Sequence, residues 1–133
     1  MPLEHTLRSH SRAAEAASRT LIAMIGLAVY AVFFATFLYL IGFVGGAIVP
    51  KTLDEPGAGP VGTALAIDLG FLALFAMQHT IMARTVFKRW WTRIVGVALE
   101  RTIFVAITCA ILIGMVVCWR PLPGLRSVIR AAV

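Results

Sequence analysis

Three long runs of apolar residues, parted by short segments rich in Pro, Gly and Arg, set the outline of the chain. Thr20 to Pro50 is 31 residues without Lys, Arg, Asp, Glu or His, and Thr102 to Trp119 is 18 more. Between them, Pro60 to Ala83 holds only Asp68 and His79 of those five types. A helix needs about 20 apolar residues to cross a bilayer. Each run therefore predicts a transmembrane helix, with spans at about 20–49, 61–83 and 100–119. The expected fold class is all-α, an integral membrane bundle of three transmembrane helices with a basic-aromatic cytoplasmic connecting segment. Residues 1–19 read as a polar leader, 20–124 as the membrane domain and 125–133 as a short tail. Arg8, Arg12 and Arg19 precede the first run as the charged region of a signal peptide would. The run is too long for that, since such a core spans roughly 7–15 residues, and no Ala-x-Ala exit follows it.

The breakers between the runs predict how the helices connect. Pro50 stops the first helix, and Asp54-Glu55-Pro56-Gly57-Ala58-Gly59-Pro60 is turn chemistry. The first two helices are expected to form an antiparallel hairpin. Gly42 and Gly46 are spaced to let another helix approach closely, although glycine is common in membrane helices in any case. Trp119-Arg120-Pro121-Leu122-Pro123 closes the third span with prolines that forbid helix continuation.

Composition agrees with a membrane reading. Hydrophobic residues are 60% of the chain, charged residues 14%, and the mean hydropathy is +0.92. The net charge of +6 is concentrated at helix ends. Arg84, Lys88, Arg89, Arg93 and Arg101 lie between the second and third spans, where only Glu100 opposes them. Lys51 before the second span is offset by Asp54 and Glu55. Cytoplasmic loops carry the excess of Lys and Arg. The 84–101 segment and the N-terminus are thus expected inside and the 50–60 loop outside, the membrane being a bacterial inner membrane. Three spans would then leave Arg120, Arg126 and Arg130 outside, against the same rule. Phe87-Lys88-Arg89-Trp90-Trp91-Thr92-Arg93 suits a membrane interface, with indoles at headgroup level and cations on phosphates. Its position between spans excludes nucleic acid as the partner. Cys109 and Cys118 share one predicted helix and face opposite sides, so they form no disulfide framework.

The candidate chemistry sits on the second span. Gln78-His79-Thr80 places an amide, an imidazole and a hydroxyl in consecutive positions of an apolar helix. Asp68 and His79 are eleven residues apart and so about 20° from one another around the helix, roughly 16 Å apart along it. They share a stripe with Leu72, Phe75 and Met82. Asp68 reads either as facing the bundle or as wet at the helix end. His79 reads either as part of an inward polar patch or as an interfacial histidine. Gln78 is 100° from His79, so at most one of the two points straight into a pocket. The chain has no Walker loop, CxxC or HExxH, and three histidines are too few and too scattered for a metal site.

A longer series of residues adds a reaction. Phe37-Leu38-Tyr39-Leu40-Ile41-Gly42-Phe43, Val49-Pro50-Lys51, Met77-Gln78-His79-Thr80-Ile81-Met82-Ala83-Arg84, Trp90-Trp91-Thr92-Arg93, Glu100-Arg101-Thr102 and Trp119-Arg120-Pro121-Leu122-Pro123 occur in this order. The series resembles the membrane methanethiol S-methyltransferases, which are similar to the isoprenylcysteine carboxyl methyltransferase and NnrU-like families. The resemblance implies transfer of a methyl group from S-adenosylmethionine to a small thiol, methanethiol, giving dimethyl sulfide. It implies His79 as base or thiol-orienting group, with Gln78 and Thr80 shaping its hydrogen bonds. Arg84 and Arg101 would hold the cofactor carboxylate or stabilise charge, and Glu100 would pair with one of them. Thr80 and Thr102 stand where the family pattern has Ser, and Phe104 where it has Tyr. Family members are roughly twice as long, with most of the cofactor site in later helices. The chain is thus expected to be the N-terminal part of such an enzyme, completed by a missing C-terminal half or a homo-oligomer. The alternative is a truncated, non-catalytic or accessory three-helix membrane protein.

Overall fold

The computed structural model describes residues 2–53 and 59–122. They form α1 (Pro2–Gly45), α2 (Val61–Ala83), α3 (Thr85–Val95) and α4 (Val97–Cys118). Three of these, α1 over Arg12–Gly45, α2 and α4, are long and apolar enough to cross a membrane. The chain is an all-α integral membrane protein. The acidic turn 54–58 and the tail 125–133 lie outside the described residues.

α1 is one helix of 44 residues, and at ~1.5 Å per residue it is about 66 Å long. The leader expected before Thr20 is its N-terminal continuation. Ala13, Ala14, Ala16 and Ala17 favour helix, and no proline interrupts the chain between Pro2 and Pro50. Gly26 lies against Thr102 near the start of α4, so the earlier part of α1 projects past the other spans. Every side chain from Arg12 to Leu21 is exposed. At its other end α1 stops at Gly45, four residues before the expected limit. Gly46 adopts φ 68°, and the Ala47 N–H donates to the Gly42 carbonyl at 3.1 Å, a helix-ending turn that favours glycine at the left-handed position. A Cβ on Gly42 would lie 2.9 Å from the Ala47 carbonyl oxygen and 2.8 Å from a Val49 methyl. Gly42 therefore makes room for its own returning chain rather than for a second helix.

The expected hairpin of the first two spans does not form. α1 and α2 are not in contact among the described residues; both pack on α4, which lies between them. α4 accordingly supplies most of the buried side chains: Thr102, Thr108, Cys109, Leu112, Met115 and Val116. Small residues set the approach. Gly26 faces the Thr102 hydroxyl on the α1 side, and Gly114 lies under the Phe71 ring of α2, where a Cβ would sit 3.1 Å from the ring.

The connecting segment is helical. Arg84 is extended (ψ 138°) and separates α2 from α3, and Gly96 (φ 78°) separates α3 from α4. Glycine takes that positive φ without steric cost. The basic-aromatic stretch between these two breaks is the amphipathic helix α3.

At the end of the bundle opposite α3, two side chains clamp the C-terminus of α4. Lys51 Nζ donates to the Val117 carbonyl at 2.7 Å, and Asp68 Oδ1 accepts the Arg120 backbone N–H at 3.0 Å. The last carbonyls and first free amides beyond a helix lack intrahelical partners, and a cation at the C-terminus also suits the helix dipole. Phe43, 1% exposed, packs edge-on to Trp119 (5.9 Å, 86°), and its carbonyl accepts the Leu53 N–H at 3.0 Å. Of the two readings of Asp68, the buried one holds: the side chain is 5% exposed and bonded. Asp68→Ala is expected to cost about 1–3 kcal/mol by removing the charged acceptor of the Arg120 amide. Asp68→Asn, which keeps an acceptor oxygen, is expected to be much milder; thermal unfolding of both variants in detergent compares them.

Candidate active site

The α2 stripe predicted to face inward turns only partly toward α4: Asp68 and Met82 are buried and Phe75 half-buried, whereas Leu72 and His79 are exposed. The apolar spacing places Asp68, Gln78 and Met82 within reach of that helix, and the structure makes a different use of each. Gln78 is half-buried. Its Nε2 lies 3.3 Å from Thr108 Oγ1 on α4 and 3.3 Å from Met82 Sδ. The Thr108 hydroxyl has one proton and two acceptors in reach, the Phe104 carbonyl at 2.9 Å and Gln78 Oε1 at 3.4 Å. The shorter bond takes the proton, so Gln78 donates to Thr108 and Thr108 donates back to its own helix. This is a part-buried polar cross-link between α2 and α4.

His79 stands beside it. Its ring is stacked on Phe75 one turn earlier in α2 (5.6 Å, 25°) and tilted against Phe104 of α4 (5.4 Å, 51°). The imidazole is nonetheless exposed, as is Thr80. Among the described residues neither ring nitrogen of His79 has a hydrogen-bond partner. Gln78 is therefore the member of the pair that points into the helix interface, and His79 borders it on the open side. The Gln78 amide does not reach the imidazole; its partners are Thr108 and Met82. What shapes the His79 site is aromatic packing, which fixes the ring plane and leaves both nitrogens available to an incoming group.

The three residues expected to meet a cofactor are not gathered into one cluster. Glu100 approaches Lys88 of α3 (3.9 Å) rather than either arginine, a partly exposed pair worth about 0–1 kcal/mol. Arg101, one residue on and so 100° around the helix, lies over the Tyr30 ring of α1 at 6.0 Å. Arg84 is exposed at the junction of α2 and α3. No hydrogen bond or ion pair joins Arg84, Glu100 and Arg101 to one another among the described residues, and the structure by itself does not assign them to a cofactor. A cavity of about 430 Å³ does open beside α1 and α4, but Thr36, Tyr39, Lys51 and Val117 line it, away from His79.

Thr108 escapes sequence reasoning, since it sits within an apolar span with no polar neighbour to mark it. Phe104 is marked in the sequence only as a departure from the Tyr of the family pattern. The packing of α2 on α4 brings the two to Gln78 and His79.

No family model matches the chain, and no solved structure does. Curated proteins do. The Methanethiol S-methyltransferase of Mycobacterium tuberculosis is 43% identical over 106 residues, which is 80% of this chain and 43% of that protein. This chain is a relative of the methanethiol S-methyltransferases. Methanethiol S-methyltransferase 1 of Bradyrhizobium diazoefficiens is 46% identical over 100 residues, 75% of this chain and 35% of its own length. Nurim of Sus scrofa is 44% identical over 59 residues, 44% of this chain and 22% of Nurim. The chain thus spans less than half the length of the curated relatives it matches.

The Gln78–Thr108 bond can be measured directly. A double-mutant cycle with Gln78→Leu and Thr108→Val is expected to return a coupling of about 0.6 kcal/mol, the average for polar pairs between membrane helices. Steric-trap or denaturant unfolding in detergent supplies the four stabilities.

Proposed function

We propose that this chain is the thiol-side part of a membrane-embedded, S-adenosylmethionine-dependent thiol methyltransferase that converts methanethiol to dimethyl sulfide. The observation that carries the reading is His79: an imidazole held between two aromatic rings, with both nitrogens free among the described residues, in a chain related to enzymes of that name. A thiol is a poor methyl acceptor until it loses its proton. A neutral imidazole at hydrogen-bond distance can take that proton, and an apolar surround leaves the resulting thiolate poorly solvated and reactive. His79 is the proposed base, with Phe75 and Phe104 orienting it. Gln78 and Thr108 hold the two helices in register beneath it, and Thr80 offers a hydroxyl on the exposed side. The donor supplies an electrophilic methyl group on a sulfonium. Arg84, Glu100 and Arg101 are assigned to the donor side only as single contacts.

Sidedness and partners belong to the same proposal. Arg84, Lys88, Arg89, Arg93 and Arg101 gather at the α3 end, toward which the arginine-bearing start of α1 also projects. The positive-inside rule puts this end in the cytoplasm, with the protein in a bacterial inner membrane. An exposed imidazole and hydroxyl on a spanning helix need cover from lipid. Further helices would provide it, either from a second copy of this chain or from polypeptide corresponding to the unmatched part of the longer relatives.

The exposed His79 also favours a second reading, a non-catalytic or accessory membrane protein. Calorimetry of S-adenosylmethionine binding to the protein in detergent, with labelled methyl transfer to methanethiol read as dimethyl sulfide in the headspace, separates the two. Binding with turnover is expected where the chain, as an oligomer or joined by polypeptide corresponding to the unmatched part of the relatives, completes a donor site. His79→Ala is then expected to lower turnover by roughly 10²–10⁴-fold, the usual worth of a general base, with helix content unchanged. Absence of both binding and turnover even with that polypeptide supplied, from a protein that stays helical, would establish the accessory reading.

A further inference from the structure

α3 separates the aromatic and basic residues of its segment onto two sides, and the separation says what each side meets. Phe87, Trp91 and Val95 recur every four residues and are half-buried. Lys88, next to that side, approaches Glu100 of α4 at 3.9 Å. This face belongs to the protein. Val86, Trp90 and Ile94 recur with the same spacing about 100° away and are 71%, 54% and 61% exposed. Arg89 and Arg93 are exposed and border that second stripe: at 100° per residue they lie about 60° and 20° from Val86.

One residue, Arg84, joins α3 to the end of a transmembrane helix, and one residue, Gly96, joins it to the start of the next. The helix therefore cannot leave the membrane boundary. An outward row of valine, tryptophan and isoleucine beside two guanidiniums has a natural counterpart there. The aliphatic groups enter the acyl boundary, the indole sits at carbonyl depth, and each guanidinium can grip a phosphate through two parallel N–H bonds. We infer that α3 is an in-plane anchor whose Val86–Trp90–Ile94 face beds in the bilayer surface and whose Arg89 and Arg93 select anionic phospholipid headgroups. Trp91, half-buried and stacked on Phe87, and Lys88, whose Nζ lies 3.9 Å from Glu100, are assigned to the α4 side of the helix rather than to this face.

The full chain reconstituted in mixed phosphatidylcholine and phosphatidylglycerol vesicles tests this, with Trp90 left as the sole indole by Trp91→Phe and Trp119→Phe. Both replaced indoles have a buried Nε1 without a partner, so the exchange loses no hydrogen bond. Acyl-chain bromine is carried by one lipid or the other in paired samples at the same mole fraction. Trp90 emission is expected to be quenched in both, and more strongly when phosphatidylglycerol carries the bromine. Each arginine would enrich the anionic lipid locally by up to roughly fivefold at low salt. Adding Arg89→Gln and Arg93→Gln is expected to make the paired samples equal while quenching persists. Quenching of Trp90 by aqueous iodide instead of by lipid would overturn the anchor. Shielding from iodide and lipid alike would overturn it in favour of a protein partner on this face. Equal quenching by the two lipids before the arginines are changed would overturn the headgroup selectivity.

Discussion

Inside a bilayer a helix gains little by turning leucine away from lipid, since the tails are as apolar as the side chain. What brings helices together there is close backbone approach and the pairing of polar groups that hydrocarbon cannot satisfy. α4 is placed by both. Gly26 and Gly114 let α1 and α2 come near it from its two sides. Gln78 crosses to Thr108, Lys51 reaches the Val117 carbonyl and Asp68 holds the Arg120 amide. With these contacts made, α1 and α2 have no need of each other, and the helix that comes last in the described sequence is central in space.

The same economy of polar groups accounts for the character of the site. Gln78 and Asp68 are spent on structure: each finds a partner on α4 or just beyond its end. His79 is not. It borders the α4-facing side of α2 on the exposed flank, where Phe75 stacks on its ring and Phe104 lies tilted beside it, and its nitrogens stay unengaged among the described residues. A polar group that the fold positions yet does not satisfy is available for chemistry, which is why the imidazole rather than the amide bears the proposed proton transfer. On the opposite end, Lys51 and Asp68 hold the exit of α4 and keep its register against α2, so that Thr108 stays level with Gln78 and Phe104 with His79.

α3 ties this arrangement to the membrane surface. Its two short breaks, an extended Arg84 and a left-handed Gly96, turn the chain out of one span and back into the next without a long loop. The pair Lys88–Glu100 fastens it to the first turn of α4. The start of α4 is thereby referred to the bilayer plane, and so is the depth of Phe104 and Thr108.

The sequence by itself determined the class of protein, the number of spans and the location of the candidate chemistry. Charge-free length is enough to decide that a helix crosses a bilayer, because the cost of backbone and charge in hydrocarbon admits few alternatives. The ordered motifs from Phe37 to Pro123 likewise carried the relation to the methanethiol S-methyltransferases. Only the tertiary structure decided which helices touch. It placed α4 between α1 and α2, gave Gln78 and not His79 the interhelical bond, paired Glu100 with Lys88 instead of an arginine, and buried Asp68. Those outcomes depend on which faces of three nearly uniform apolar helices meet. In such helices the apolar pattern has almost no contrast around the axis, so a few glycines and hydroxyls choose the faces, and their partners lie far away in the chain.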